Sequence, residues 1–137
     1  MDWITDQIAI GNYIDATEYT AVKRAGFKSI LCLDCTIFAR DIEGIPRDVV
    51  HLTDEPCNQF ENFLRAVQTL EHLLQKSSPV LVHCHAGRSR SVVVVAAYFM
   101  RATKCSPEEA IAQVAAKREI SITPGVEQLL YHLAAKS

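Results

Sequence analysis

No apolar run in this chain approaches the ~20 residues needed to cross a bilayer. The first residues, Met1-Asp2-Trp3-Ile4-Thr5-Asp6, carry acid where a secretory leader would carry positive charge. These two absences set the cytosol as the expected location, with no membrane partner expected. Charge of one sign is also lacking: 14 Lys and Arg stand against 16 Asp and Glu, for a net of −2. Bulk electrostatics therefore draw the chain to neither nucleic acid nor an anionic membrane, and any anion site must be local. A second Cys pair is missing too. Five cysteines are present, an odd number that cannot pair fully in one chain, and reducing compartments keep thiols free. Cys32-Leu33-Asp34-Cys35 is the only C-x-x-C, with no partner pair to complete four zinc ligands. Repeats, low-complexity tracts and linkers are absent as well. The 137 residues, 49% hydrophobic and 22% charged, read as one domain over 1–137 with a single core.

What is present alternates between strand and helix. Gln7 to Ile10 reads as a short strand broken by Gly11-Asn12, and Asp15-Ala16-Thr17-Glu18 has capping-box spacing, predicting a helix from Ala16 to Ala25 closed by Gly26. Ser29 to Leu33 is a buried strand that delivers Asp34 and Cys35 to its end. Thr36 to Asp48 has no period and reads as a surface loop. Val49 to Leu52 is a second buried strand, closed by the turn Thr53-Asp54-Glu55-Pro56. Phe60, Phe63, Leu64, Val67, Leu70 and Leu74 recur at helical steps and mark a long amphipathic helix to Lys76. Val80-Leu81-Val82 is a fully apolar central strand. Ser91 to Met100 is apolar throughout, so periodicity alone does not separate strand from buried helix there. Ser106-Pro107-Glu108-Glu109 starts a helix to about Lys117, and Thr123-Pro124 starts a last one carrying Val126, Leu129, Leu130 and Leu133. This order predicts an α/β domain with a central sheet and helices on both faces.

His83-Cys84-His85-Ala86-Gly87-Arg88-Ser89-Arg90-Ser91 joins the apolar strand to the apolar run. Strand, tight loop and buried helix is the form that makes sense of it. Backbone N–H groups from His85 to Arg90 can then turn into one concave nest at the positive end of the following helix, which suits phosphate. Cys84 at the mouth of that nest shares its field, and a helix N-terminus and a guanidinium both favour thiolate, the nucleophilic form. Arg90 closes the loop with a planar fork able to hold two oxygens of a tetrahedral anion. Gly87 is the residue free to take positive φ. Ser91 brings a hydroxyl to the helix start, where it can donate to the sulfur.

The stretch Val82 to Ser91 resembles the His-Cys-x5-Arg-Ser signature of the cysteine-based protein phosphatases, and its Ala-Gly-x-Ser-Arg-Ser wording resembles the dual-specificity branch most. Ile10-Gly11-Asn12 with Asp15-Ala16, Gly26-Phe27, and Pro124 followed by Glu127-Gln128-Leu129 are similar to that family's flanking pattern. The resemblance implies a compact domain around a mixed, mainly parallel sheet, a phosphocysteine intermediate and no metal or other cofactor. It implies Cys84 as nucleophile, Arg90 as phosphate ligand, Ser91 as helper of the sulfur, and the loop residues His85, Ala86, Gly87, Arg88, Ser89 and Arg90 as the substrate cradle. It also implies a general acid on a loop about thirty residues before the nucleophile. Asp54 stands at that distance, with Glu55 and Asp34 as the other carboxylates in range. His83 would orient the loop.

The expected partner is a phosphorylated protein or peptide, handled by a monomer. Substrate departs from the family in two places: paired lysines that suit inositol phosphates are absent, and Arg88 fills a position usually small or apolar. The missing lysines count against inositol phosphate, which with RNA 5′-triphosphate stands as the alternative substrate, and a rhodanese-type sulfur transfer is the competing chemistry. Arg88 on the loop rim would read a second negative group. Among the remaining thiols, Cys35 and Cys57 are those whose chain positions suit capture of an oxidised Cys84, while Cys32 and Cys105 read as packing residues.

Overall fold

The computed structural model describes residues 1–38, 41–55 and 58–136. Five strands form one sheet in the order β1-β2-β5-β3-β4 among the described residues. They are β1 (Asp2–Trp3), β2 (Ile8–Gly11), β3 (Ser29–Cys32), β4 (Arg47–Val49) and β5 (Val80–His83). All neighbours run parallel except β1 on β2, so the sheet is mixed and mainly parallel. Strands β2, β3 and β5 are buried along their whole length, as a sheet covered on both faces requires.

The period-2 alternation of side chains splits the core in two. Ile8, Ile10, Leu31, Val80 and Val82 face one side. There they meet α3 (Phe60–Lys76), α4 (Arg90–Thr103), α5 (Pro107–Ala115) and α6 (Gln128–Ala135). Ala9, Ile30 and Leu81 face the other, smaller side with Ala16, Val22 and Phe27, beneath α1 (Tyr13–Thr17) and α2 (Tyr19–Arg24). Helix α4 lies deepest, with Ser91 to Ala97 all buried, which explains why its sequence shows no amphipathic period.

Several sequence expectations hold and others shift. The Ser106–Glu109 capping box forms with Pro107 at the first helical position, and Gly26 takes φ +84° after α2. The expected single helix from Ala16 to Ala25 is two helices. Asn12, not Asp15, is the cap: its side chain accepts from Asp15 N at 2.8 Å while Asp15 accepts from Asn12 N at 2.9 Å, so the helix starts three residues early and breaks at Glu18. The expected buried strand Val49–Leu52 is displaced. Pairing with β3 occurs at Arg47–Val49, an edge strand whose residues need not be apolar, and the buried Val50 and Leu52 follow it, bonding to Cys32 O and Leu33 O. The Thr36–Asp48 segment contributes buried Ile42 and Ile45 to the smaller core. The last helix begins at Gln128 and not at Thr123-Pro124, because Gly125 at φ +93° turns the chain first. Pro56 and Cys57 lie outside the described residues.

Candidate active site

Strand β5 runs into Cys84, and α4 begins six residues later at Arg90. Between them the carbonyls of four successive residues each accept a hydrogen bond from outside the loop. His85 O accepts from Tyr13 N (2.9 Å) and Arg88 O from Ser121 N (2.9 Å). Ala86 O accepts from Arg118 Nη2 (3.3 Å) and Gly87 O from Arg118 Nε (2.8 Å). In a planar trans peptide the carbonyl and the next N–H point in opposite directions. Tying these carbonyls outward therefore turns the N–H groups of Ala86, Gly87, Arg88 and Ser89 inward. The Gly87 N–H shows the result by donating to Cys84 Sγ at 3.2 Å.

Gly87 has φ +71°, and a Cβ there would strike the Gly11 carbonyl and lie 2.7 Å from Arg118 Nη2. The position admits only glycine, for both its handedness and its closeness to β2. His83 is fully buried. Burial pushes its pKa down to about 4, so the ring is neutral, with Nδ1 3.4 Å from Cys84 O.

Arg90 is buried with its side chain 9% exposed. Its Nη1 donates to Asp34 Oδ2 (3.1 Å) and to Leu52 O (2.9 Å), while its buried Nε has no hydrogen-bond partner among the described residues. One corner of the fork is thus anchored to Asp34, just past β3, and to Leu52 in the segment after β4, and Nε remains unspent on a residue that lines the cavity. Asp34 also accepts from Thr36 N and Oγ1. Its burial acts to raise its pKa, but the bonds from Thr36 and Arg90 outweigh that and hold the carboxyl below its usual range. A carboxylate kept ionised behind the arginine anchors it and is unsuited to deliver a proton.

Asp54 is exposed and its Oδ2 accepts from Thr123 Oγ1 at 2.8 Å. It lines the same cavity of ≈ 300 Å³ as Cys84, His85, Ala86, Arg88, Ser89, Arg90, Ser121 and Thr123. Of the sequence-predicted residues, Asp54, Cys84, His85, Ala86, Arg88, Ser89 and Arg90 are thus brought together, while Gly87, Ser91, Asp34 and Glu55 are not on the cavity lining. Gly87 takes part through its backbone, donating its N–H to Cys84 Sγ. Ser91 is the second residue of α4, its Oγ buried and without a hydrogen-bond partner among the described residues, so no bond to the sulfur is formed here. The helix cap is Ser89 instead, whose Oγ accepts from Thr123 N (3.0 Å). His85 is on the rim, stacked on Tyr13 at 4.5 Å between ring centroids. Arg88 is also there, half-exposed, 4.0 Å from Glu119. Cys35 is exposed, and its N–H donates to His51 Nδ1. Cys57 lies outside the described residues.

Arg118 and Thr123 were missed. Lys117-Arg118-Glu119 reads as a solvated charge cluster after a helix, and Thr123 as a helix start; nothing local in the sequence marks either as a neighbour of the loop.

Known proteins share this arrangement of elements. The crystal structure of human DUSP28 superposes with a TM-score of 0.89 over 99% of this chain and 96% of that one, at 21% identity. Human phosphatidylglycerophosphatase and protein-tyrosine phosphatase 1 is 39% identical over 85 residues, 61% of this chain and 41% of that protein. Dual specificity protein phosphatase 22 of Xenopus tropicalis is 31% identical over 120 residues, 86% of this chain and 56% of its own length. The chain thus spans about half the length of these two relatives. Residues 8–134 match the family model for the dual specificity phosphatase catalytic domain. The chain belongs to that family, and it is a cysteine-based phosphatase of the tyrosine and dual-specificity kind.

Proposed function

We propose that Cys84, Arg90 and Asp54 carry out phosphomonoester hydrolysis in two displacements, over a catalytic unit that occupies the whole chain. The Cys84 thiolate attacks phosphorus while the inward N–H groups and the Arg90 fork hold the non-bridging oxygens. The P–O bond to the leaving group breaks and Asp54 gives that oxygen its proton. Water then attacks the phosphocysteine, Asp54 takes a proton back, and the P–S bond breaks to release phosphate. The unpartnered Ser91 hydroxyl is available to donate to the departing sulfur. The observation that carries this reading is the shared cavity: two groups 30 residues apart in sequence, Cys84 and Asp54, line it together with Arg90.

Phosphotyrosine and phosphoserine or phosphothreonine in proteins are the proposed substrates, in the cytosol; among the described residues no helix is long and apolar enough to cross a membrane. The human relative's name pairs a phosphatidylglycerophosphatase with a protein-tyrosine phosphatase, so a phospholipid belongs beside phosphopeptides, inositol phosphates and 5′-triphosphate RNA in the substrate panel. Hydrolysis of p-nitrophenyl phosphate is expected to persist in EDTA and to vanish in Cys84→Ser, with phosphopeptides preferred in the panel. Loss of activity on chelation, or activity retained in Cys84→Ser, overturns the mechanism. A phospholipid turned over faster than every peptide overturns the substrate.

A further inference from the structure

We propose that Arg118 is a positioning residue for catalysis, holding the Ala86–Gly87–Arg88 stretch of the phosphate loop in its binding form from behind, with Asp2 as its own anchor. The proposal rests on the reading of this loop as the phosphate site. One guanidinium makes four hydrogen bonds, two to this stretch and two to β1 and β2. Nε and Nη2 take the two successive carbonyls Gly87 O and Ala86 O, while Nη1 donates to Asp2 Oδ2 (2.9 Å) and Ile10 O (3.2 Å). The side chain is only 10% exposed, and a buried cation is costly unless its donors are satisfied. Here they are satisfied by three carbonyls and a carboxylate, a set that the planar five-donor fork of arginine meets and a lysine ammonium does not.

The consequence is chemical as well as structural. Of the four inward N–H groups, those of Gly87 and Arg88 follow the two carbonyls that Arg118 holds, and the Gly87 N–H is the one aimed at the sulfur. A flipped peptide at either place would present a carbonyl oxygen to a phosphate dianion. The two-residue strand β1 gains a purpose from this: its pairing, Asp2 opposite Ile10, puts the Asp2 carboxylate and the Ile10 carbonyl beside each other to grip the same nitrogen. A merely structural arginine would tie β1, β2 and the α5 end together without caring about loop amides. A positioning arginine must also control oxyanion affinity.

Orthovanadate, a phosphate mimic bound by the loop, separates the two. Wild type, Arg118→Ala, Arg118→Lys and Asp2→Asn are compared for kcat/KM on p-nitrophenyl phosphate, for vanadate Ki and for thermal midpoint, at a temperature where each is folded. Losing one preorganised oxyanion donor typically costs ~10²–10³-fold. Arg118→Ala is therefore expected to lose about 10²-fold in kcat/KM and at least tenfold in vanadate affinity. Arg118→Lys keeps the charge and should lose about tenfold in kcat/KM, and Asp2→Asn a few-fold. Should Arg118→Ala not fold, Arg118→Lys decides alone. Variants with lowered midpoints but kcat/KM and vanadate Ki within twofold of wild type overturn the proposal. A wild type lacking Cys84-dependent hydrolysis overturns the reading of the site instead.

Discussion

The two halves of the site are built in opposite ways. The nucleophile loop grows out of a buried strand and into a buried helix, its Cys84, Ser89, Arg90 and Ser91 all out of solvent, its carbonyls held on four sides. The acid segment lies at the surface. Asp54 is exposed, and the turn around it is tied by Asn58, which accepts from Thr53 N (2.7 Å) and donates to Thr53 O (2.6 Å) and Glu55 O (3.0 Å). Among the described residues, Asp54 reaches the rest of the site through the Thr123 hydroxyl. The contrast fits the tasks of the proposed mechanism: the part proposed to hold a dianion in fixed geometry is made of core, and the part proposed to deliver and retrieve a proton is left at the water interface. It follows that stability and activity are coupled on the loop side and separable on the acid side.

Arg90→Ala should break the comparison hardest. It removes the phosphate fork and leaves Asp34 ionised, buried and short of its counter-charge. The expected losses are ~10³-fold or more in kcat/KM and about 3 kcal/mol in urea unfolding. A variant that loses activity with unchanged stability would deny that the loop's chemistry and its packing are one structure.

A smaller effect sharpens the same contrast through pH. His83 is held neutral in the folded chain, with a pKa about 4 against an ordinary 6.5. Between those values the unfolded chain binds the extra proton and the folded one does not, so stability falls as pH drops through that window, by up to ~1.4 kcal/mol per unit. The lowered Asp34 pKa acts in the same direction at lower pH, where protonation removes its pairing with Arg90. Urea unfolding between pH 7 and pH 4.5 should show this slope, and His83→Gln should flatten it. An equal slope in both proteins would place the titration elsewhere.

How much of this was legible follows the same division. The loop is contiguous, so a nucleophile, a glycine and an arginine at fixed spacing betray it, and the buried strands around it are plainly apolar. Asp54 is one carboxylate in a polar turn; only the family resemblance singled it out, and only the fold sets it on the cavity with Cys84. Arg118 could not be read at all, because three of its four partners are main-chain carbonyls at Ile10, Ala86 and Gly87 that carry no signature, and the fourth, Asp2, lies 116 residues away in sequence. β1 and most of β4 escaped for a related reason: edge strands satisfy pairing through the backbone, so hydrophobicity marks the burial of Val50 and Leu52 and misses the paired residues Arg47 and Asp48. The helix cap at Asn12 was missed because two overlapping boxes compete in Asn12 to Glu18, and contact with the loop, Tyr13 N to His85 O, favours the earlier one.

The division of labour is tested most directly by Asp54→Ala on a series of aryl phosphates whose leaving groups span a range of phenol pKa. General acid catalysis is typically worth ~10²–10⁴-fold, so the variant should fall behind wild type by that much on the most basic leaving group and by little on the most acidic one. Vanadate Ki should stay within twofold of wild type, and unfolding free energy within about 0.5 kcal/mol, as for an exposed side chain. A deficit that is constant across the series, or one accompanied by lost vanadate affinity, would contradict the account, since Asp54 would then be shaping the anion site and not supplying its proton.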